Sequence, residues 1–220
     1  MALNKLKYNS LNLTPAANKA IGFDSDADAL EATLSGGAMT FIKKLTASSS
    51  STLSFVNGSS DVVLDSTYKE YMFIFNNIHP SADTNKFLFN GSDDTSSHSY
   101  DITKTTTDFT AYNAENDSDR DLYYRTGDDL AQSTAAQQLS SSLGSDNDQS
   151  CSGYLHLFNP SSTTFVKHFM SNVSTVVASD ISTNQFTAGY FNTTAAITAI
   201  QFSMNSGNID AGTITLYGIN

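Results

Sequence analysis

Short segments in which apolar and polar residues alternate fill the sequence from residue 39 onward, and turn-forming residues separate most of them. In the segment 197–204, for example, Ile200 and Phe202 fall on one side and Gln201 falls on the other. A period of two is the spacing of a β-strand with one buried face. The pattern therefore predicts that this part of the chain is all β.

Fourteen segments are predicted as strands, and so many short strands are typical of a two-sheet antiparallel β-sandwich of jelly-roll type. The predicted strands are 39–46, 52–57, 61–65, 69–78, 86–90, 99–103, 107–112, 121–125, 153–159, 164–170, 173–178, 185–191, 197–204 and 213–219. The last two are expected to pair as a closing hairpin. The segment 129–143 is open between a short helix and a long loop.

Residues 1–38 differ from the rest and are interpreted as an extended arm or anchor, separate from a sandwich domain at 39–220. Short strand-like pieces of this arm, interrupted by Pro15, place apolar residues at alternate positions. These residues are Leu11, Leu13, Ile21 and Phe23.

A short helix is predicted in the arm near residues 26–34. Ser25 is a typical helix cap, Leu30 and Leu34 share a face, and a Gly-Gly pair ends the segment. A helix of about two turns is not stable alone in water. Its two leucines and the four strand-like residues are therefore expected to bind a partner, either this chain's own sandwich or a neighbouring chain.

The charge balance excludes two classes of partner. The chain carries 22 acidic and 11 basic residues, for a net charge of −11, so it repels phosphate backbones and anionic membrane surfaces. No apolar run approaches the roughly 20 residues of a membrane helix, and no signal peptide is recognisable. The single cysteine, Cys151, excludes an intrachain disulfide and is interpreted as a small strand or loop residue.

The sequence contains no complete metal-binding or cofactor-binding motif. Asp24, Asp26 and Asp28 resemble the start of an EF-hand loop, but Ala29 and Ser35 stand where glycine and glutamate belong. These aspartates are weak metal candidates, and the start of a helix explains two of them equally well. Two further acidic clusters, at 117–121 and 146–148, are interpreted as solvated loop tips. We expect no cofactor.

Candidate catalytic residues are equally sparse. Serine and aspartate are so frequent that no Ser-His-Asp trio stands out. Glu70 enters a central strand and is the one candidate for an acid in polysaccharide cleavage, but an exposed strand-end residue is the simpler interpretation. With no tryptophan present, four tyrosines remain that would stack on a sugar or form sheet or subunit contacts. They are Tyr100, Tyr112, Tyr123 and Tyr124.

Four long segments resemble virion structural proteins of marine tailed bacteriophages, cyanophages above all. They are "AMTFIKKLTASSSSTLSFVNG", "TYKEYMFIFNNIHPSADTNKFLFNGS", "GYLHLFNPSSTTFVKHF" and "GYFNTTAAITAIQFSMNSGNIDAGTITLYGI". The resemblance covers residues 39–220, and its most specific part is "SGNIDAGTITLYGI". It implies a role in particle structure and brings no catalytic residue with it.

The resemblance and the composition together lead to one expected function and one alternative. The expected function is a non-enzymatic exterior module of the virion, a capsid decoration or fibre component, anchored by residues 1–38 to other head or tail proteins. By analogy with such modules we expect a homo-oligomer, most often a trimer. The alternative is a receptor-recognition module that binds cell-surface glycans through the loops 92–98, 113–120 and 144–150.

Overall fold

The structure is a computed structural model that describes residues 20–23, 30–33 and 38–220. Residue contacts divide the chain into two compact units, Met1–Ala38 and Met39–Asn220.

The first unit contains a two-stranded antiparallel sheet. Strand β1 (Ala20–Phe23) pairs with β2 (Leu30–Thr33), so that Phe23 lies opposite Leu30. The predicted helix is therefore wrong over Leu30–Thr33, because these residues form backbone hydrogen bonds with another strand. Residues 26–29 and 34 of that prediction lie outside the described residues.

The second unit is all β and antiparallel, and the described residues include no helix. Its strands are β3 (Met39–Thr46), β4 (Thr52–Val56), β5 (Glu70–Pro80), β6 (Asn85–Ser92), β7 (Lys104–Ala114), β8 (Arg120–Tyr124), β9 (Gln137–Leu143), β10 (Cys151–Phe158), β11 (Lys167–Val177), β12 (Ile181–Phe191), β13 (Ala199–Met204) and β14 (Ile209–Ile219). These twelve strands form one hydrogen-bonded network.

The network folds into two layers. The larger layer has the order β3-β14-β5-β10-β11-β12-β7-β8, and the smaller has the order β9-β6-β13-β4. The pair Val177–Leu143 joins them at one place, and the bridge Ser50–Ile209 joins them at another. The result is a barrel-like sandwich that is nearly closed, with more strands than the eight of a simple jelly roll.

The predicted closing hairpin does not form. Strand β13 pairs with β4 and β6 in the smaller layer, whereas β14 pairs with β3 and β5 in the larger one. The connection at 205–208 therefore crosses from one layer to the other. Ile214 and Leu216 of β14 are fully buried, as expected of a core strand.

Aromatic side chains fill one half of the space between the layers. Phe202 of β13 lies at the centre, with its ring 5.4 Å from Phe73 and 5.2 Å from Phe75, both on β5 of the other layer. The rings of Phe87 and Phe89 on β6 pack against it within the smaller layer. These contacts bury large apolar surfaces and hold the two layers together.

Polar side chains fill the other half of this space. The inward residues of β7, β12 and β9 are mostly threonine, serine, glutamine and aspartate rather than aliphatic residues. The buried ones are Thr106, Asp108, Thr110, Gln137, Ser140, Gln185 and Thr187. The sandwich thus has an aromatic half and a polar half, and the polar half contains the candidate site.

Candidate functional site

Asp108 lies at the centre of the polar half and is fully buried. Its Oδ2 atom accepts hydrogen bonds from Gln185 Nε2 at 2.8 Å and from Thr187 Oγ1 at 2.7 Å, both on the neighbouring β12. Its Oδ1 atom has no hydrogen-bond partner in the described part of the chain. Burial raises the pKa of the Asp108 carboxyl to about 6, because the charged form loses its hydration.

Strand β9 and the loop before it cover this network. Thr106 Oγ1 donates to Gln137 Oε1 at 2.7 Å, and Gln137 Nε2 donates to the carbonyl of Asp128 at 3.0 Å. The Asp128 carboxylate forms a salt bridge with Arg125 and accepts a hydrogen bond from Gln138 Nε2 at 2.9 Å. These contacts fix the loop as a wall of the polar half.

A pocket of about 350 Å³ opens between β9 on one side and β7, β8 and β12 on the other. We call it the interlayer pocket. Its walls carry hydroxyl groups of Thr110, Ser141, Ser142 and Thr183, with Val177 and Ile181 as apolar neighbours. Thr110 is 2% exposed, and its Oγ1 atom has no hydrogen-bond partner among the described residues. Thr110 therefore contributes to the pocket wall a buried polar atom that has no partner.

Two tyrosines form the outer wall of the interlayer pocket. Tyr112 of β7 and Tyr123 of β8 meet edge to face, with ring centroids 6.0 Å apart. Tyr112 donates its hydroxyl to Asp119 Oδ2 at 3.1 Å, and Arg125 Nη1 donates to the Tyr123 hydroxyl at 2.9 Å. The hydrogen bond to Asp119 raises the pKa of Tyr112. Both rings are held in place by charged neighbours.

The four tyrosines named from the sequence thus lie in three places. Tyr112 and Tyr123 line one pocket, because Tyr123 lies opposite Thr110 on the inward side of the β7–β8 pair. Tyr124 lies opposite Phe109, on the other side of that pair. Tyr100 packs against His98, in a different loop.

Two buried lysines lie at the far end of the polar half. Lys104 and Lys167 pair with the same residue, Phe191, across neighbouring strands. Lys104 Nζ donates to the carbonyl of Ala135 at 2.7 Å, and Lys167 Nζ donates to that of Thr193 at 3.2 Å. Burial lowers the pKa of Lys104 to about 8 and also lowers that of Lys167. Each amine thus donates one hydrogen bond to a backbone carbonyl at this end of the sandwich.

The larger layer presents an exposed apolar surface to the outside, which we call the outer face. Register places Phe41, Tyr217, Met72, His156 and Met170 side by side across five neighbouring strands. The adjoining rows add Met39, Tyr154, Phe186 and Phe109. Phe41 is 59% exposed and Met170 is 55% exposed, so this surface is wet in the isolated chain.

The partner-binding and metal residues predicted in the arm are mostly beyond the described part. Ile21 and Phe23 lie on β1 and Leu30 lies on β2. The remaining predicted residues, namely Leu11, Leu13, Leu34, Asp24, Asp26 and Asp28, lie outside the described residues.

The acidic cluster at 117–121 is occupied by local contacts. Asp117 forms a salt bridge with Arg120, and Asp119 is bound to Tyr112. Within residues 38–220 and the two short N-terminal strands, no three His, Cys, Asp or Glu side chains are grouped as a metal site would require. Across the same residues no helix has the length and apolarity to span a membrane.

One serine, histidine and aspartate do come together, but not as a catalytic triad. Ser92 Oγ lies 3.3 Å from His98 Nδ1 and donates to Asp94 Oδ2 at 3.1 Å. A triad needs the carboxylate on the histidine and an accessible serine. Here the Asp94 carboxylate binds Ser92 and Ser99 instead, and Ser92 is fully buried. The trio closes a loop, and the Ser99 hydrogen bonds lower the pKa of Asp94.

The two remaining residues considered for catalysis, Glu70 and Cys151, lie in environments that do not favour a catalytic role. Glu70 lies partly exposed on the outer face, with its Oε2 atom 3.5 Å from His156 Nε2. Cys151 is buried at the start of β10, and burial raises the pKa of its thiol to about 12, so it is a poor nucleophile.

The three loops predicted to bind glycans do not meet at one end. The loop 113–120 contacts the turn after β11, where Glu115 N donates to the Asp180 carbonyl at 3.1 Å. The loop 144–150 ends beside the same region, since Val176 N donates to the Ser150 carbonyl. The loop 92–98 follows the opposite end of β6, because that strand pairs its first residue with β9 near Leu143. A three-loop platform is therefore not assembled.

Comparison with known proteins adds no relative. No protein-family description, curated protein or solved structure matches this chain.

Proposed function

We propose that this chain is a non-enzymatic structural component of a tailed-phage virion, an exterior module that decorates the capsid or forms part of a fibre. In this proposal the sandwich is jelly-roll-like, and residues 1–38 anchor it to other head or tail proteins. The arm residues Leu11, Leu13, Ile21, Phe23, Leu30 and Leu34 form the contact. The net charge of −11 favours a position away from packaged DNA.

The observation that supports the assembly part of this proposal is the outer face. A sheet surface with a continuous row of Phe41, Met72 and Met170 is unusual on a monomer, because exposed apolar patches mark interaction sites. The proposed occupant of this surface is a second copy of the same chain, in a homo-oligomer that we take to be a trimer.

Charge supports a second copy as the occupant. Two copies that each carry −11 repel one another wherever their carboxylates come close. Within the described rows of the outer face, from Met39 to Phe109, Glu70 contributes the one carboxylate. Two acidic copies can therefore pack together through the outer face, because few carboxylates of one copy would lie opposite those of the other.

The first experiment is to measure the oligomeric state of Met170→Glu. Met170 lies on β11 in the middle of the outer face and is 55% exposed, so the change is tolerated in the monomer. A carboxylate buried without a partner costs several kcal/mol, so the variant is expected to be monomeric at concentrations where the natural chain is an oligomer. Sedimentation velocity measures the oligomeric state of the variant and of the natural chain.

The matched control is Thr52→Glu, an exposed strand residue of the smaller layer. This variant is expected to keep the oligomeric state of the natural chain. A natural chain that stays monomeric at about 100 μM overturns the role of the outer face, as does a Met170→Glu variant with unchanged assembly. The particle role itself is tested by electron cryo-microscopy of intact virions of the encoding phage, and absence of the chain from purified virions overturns it.

Glycan recognition is the second candidate function, and one observation favours it. The two tyrosines of the interlayer pocket stand beside hydroxyl groups, which is the chemistry that a sugar needs. The loops named from the sequence do not provide the whole site, but 113–120 borders it through Asp119.

A further inference from the structure

We propose that the interlayer pocket binds one neutral sugar residue. The inference rests on the second candidate function, glycan recognition, and is independent of the structural role proposed first. The pocket volume of about 350 Å³ falls in the range of small-ligand sites and accepts a single pyranose ring.

The hydroxyl-rich wall matches a polyhydroxylated ligand. Hydroxyl groups both donate and accept hydrogen bonds, so Ser141, Ser142 and Thr183 suit a ligand whose own groups do the same. Thr110 is the sharpest indication, because its buried Oγ1 atom lacks a partner in the described structure. A buried polar atom without a partner costs free energy. A small adjustment of the wall on binding would bring a ligand hydroxyl to this atom and recover that cost.

The aromatic wall matches the other surface of a sugar. A pyranose ring has an apolar face of C–H groups, and aromatic side chains pack against such faces. Tyr123 is 41% exposed and stands at the mouth of the pocket, where Arg125 holds its hydroxyl. The ring of Tyr112 packs edge to face with that of Tyr123, and the two ring centroids are 6.0 Å apart.

The charges near the pocket favour a neutral ligand over an anionic one. Arg125 is already neutralised by its salt bridge with Asp128. Asp119 adds a carboxylate at the mouth, and the whole chain is acidic. An anion entering the pocket therefore meets repulsion without a free cation among the lining residues to offset it.

The test is binding of free monosaccharides to the full chain, measured by saturation-transfer NMR and by titration of chemical shifts. The probes are glucose, galactose, mannose and N-acetylglucosamine at up to about 50 mM, with glucuronate as the anionic comparison. At least one neutral sugar is expected to bind, and glucuronate is expected to bind more weakly.

Two variants remove the proposed contacts. Thr110→Val deletes a hydroxyl that has no partner in the protein and keeps the side-chain shape, so folding is expected to be retained. Tyr123→Ala removes the exposed aromatic wall. Each is expected to weaken binding by about tenfold or more. The matched control is Tyr124→Ala, because this neighbouring tyrosine lies on the opposite side of β8 and leaves the pocket intact.

Three results overturn the inference. They are the absence of binding by every neutral sugar, binding that Thr110→Val and Tyr123→Ala leave unchanged, and a preference for glucuronate. None of these results affects the oligomer proposed for the outer face, so the two proposals fail separately.

Discussion

Asp108 shows how one residue can couple this fold to pH. The carboxyl is enclosed by β12 and by the loop that contains Arg125 and Asp128, and one of its oxygens has no partner in the described structure. Its pKa is about 6 in the folded chain, against an ordinary value of 3.8. The folded state therefore holds this proton more tightly than the unfolded state does. The stability that Asp108 contributes is greatest below about pH 4 and falls as the pH rises through about 6.

Replacing Asp108 with asparagine removes this loss. Relative to the natural chain, Asp108→Asn is expected to gain free energy of unfolding between about pH 4 and about pH 7, by up to about 3 kcal/mol. Urea unfolding at both pH values measures the difference. Asp83→Asn is the control of opposite sign, since hydrogen bonds from Ser145 lower the pKa of the exposed Asp83. A pH-independent difference for Asp108→Asn contradicts the prediction.

At the scale of strands, the sequence pattern succeeds where inward residues are apolar. The alternation at 39–46 and 52–57 predicts β3 and β4 almost to the residue. Strand β9, "QQLSSSL", gives no such signal, because most of its inward residues are polar and serve the buried network. The segment 61–65 fails in the opposite way: Val62 and Leu64 are buried and alternate, but they belong to a loop.

The pairing of strands and the make-up of the candidate site both depend on residues that are distant in sequence. The closing hairpin was a wrong prediction because adjacent strands need not pair, and β13 and β14 bury their apolar residues from opposite layers. In a chain rich in serine and threonine, nothing local distinguishes Thr110 or Ser141 from the others. Tyr112 and Tyr123 were the one recognisable signal of the interlayer pocket.

Strands β10 and β11 approach each other closely at Gly153. This residue lies beside a bulge of β10, and a Cβ atom there would lie 2.2 Å from the carbonyl oxygen of Asn172 on β11. Gly153→Ala is therefore expected to destabilise the fold by about 1–3 kcal/mol, because backbone has to move. Gly127→Ala is the control, since nothing lies within 4 Å of its Cβ position. Equal unfolding midpoints in urea for the two variants would contradict this reasoning.

At the scale of the whole molecule, the two halves of the sandwich differ in what they contribute to stability and to the candidate site. The aromatic half joins the layers through contacts that need no specific hydrogen bonds, so it supplies most of the stability. The polar half contributes less apolar burial, and it contains both the titrating carboxyl of Asp108 and the interlayer pocket. This arrangement permits a binding site inside the sandwich without loosening the layers, because the site does not occupy the region that holds them together.

Replacing Phe202 tests directly whether the aromatic half supplies most of the stability. Its ring contacts Phe73 and Phe75 across the layers, so Phe202→Ala is expected to cost about 3–5 kcal/mol of unfolding free energy. Phe165→Ala is the control, because that side chain is 69% exposed in a loop and its loss is expected to be nearly neutral. Urea unfolding followed by tyrosine fluorescence measures both variants. If the layers form one cooperative unit, Phe202→Ala lowers the midpoint while keeping a single transition with the natural slope. Separate transitions for the two halves would show instead that the polar half folds independently of the aromatic one.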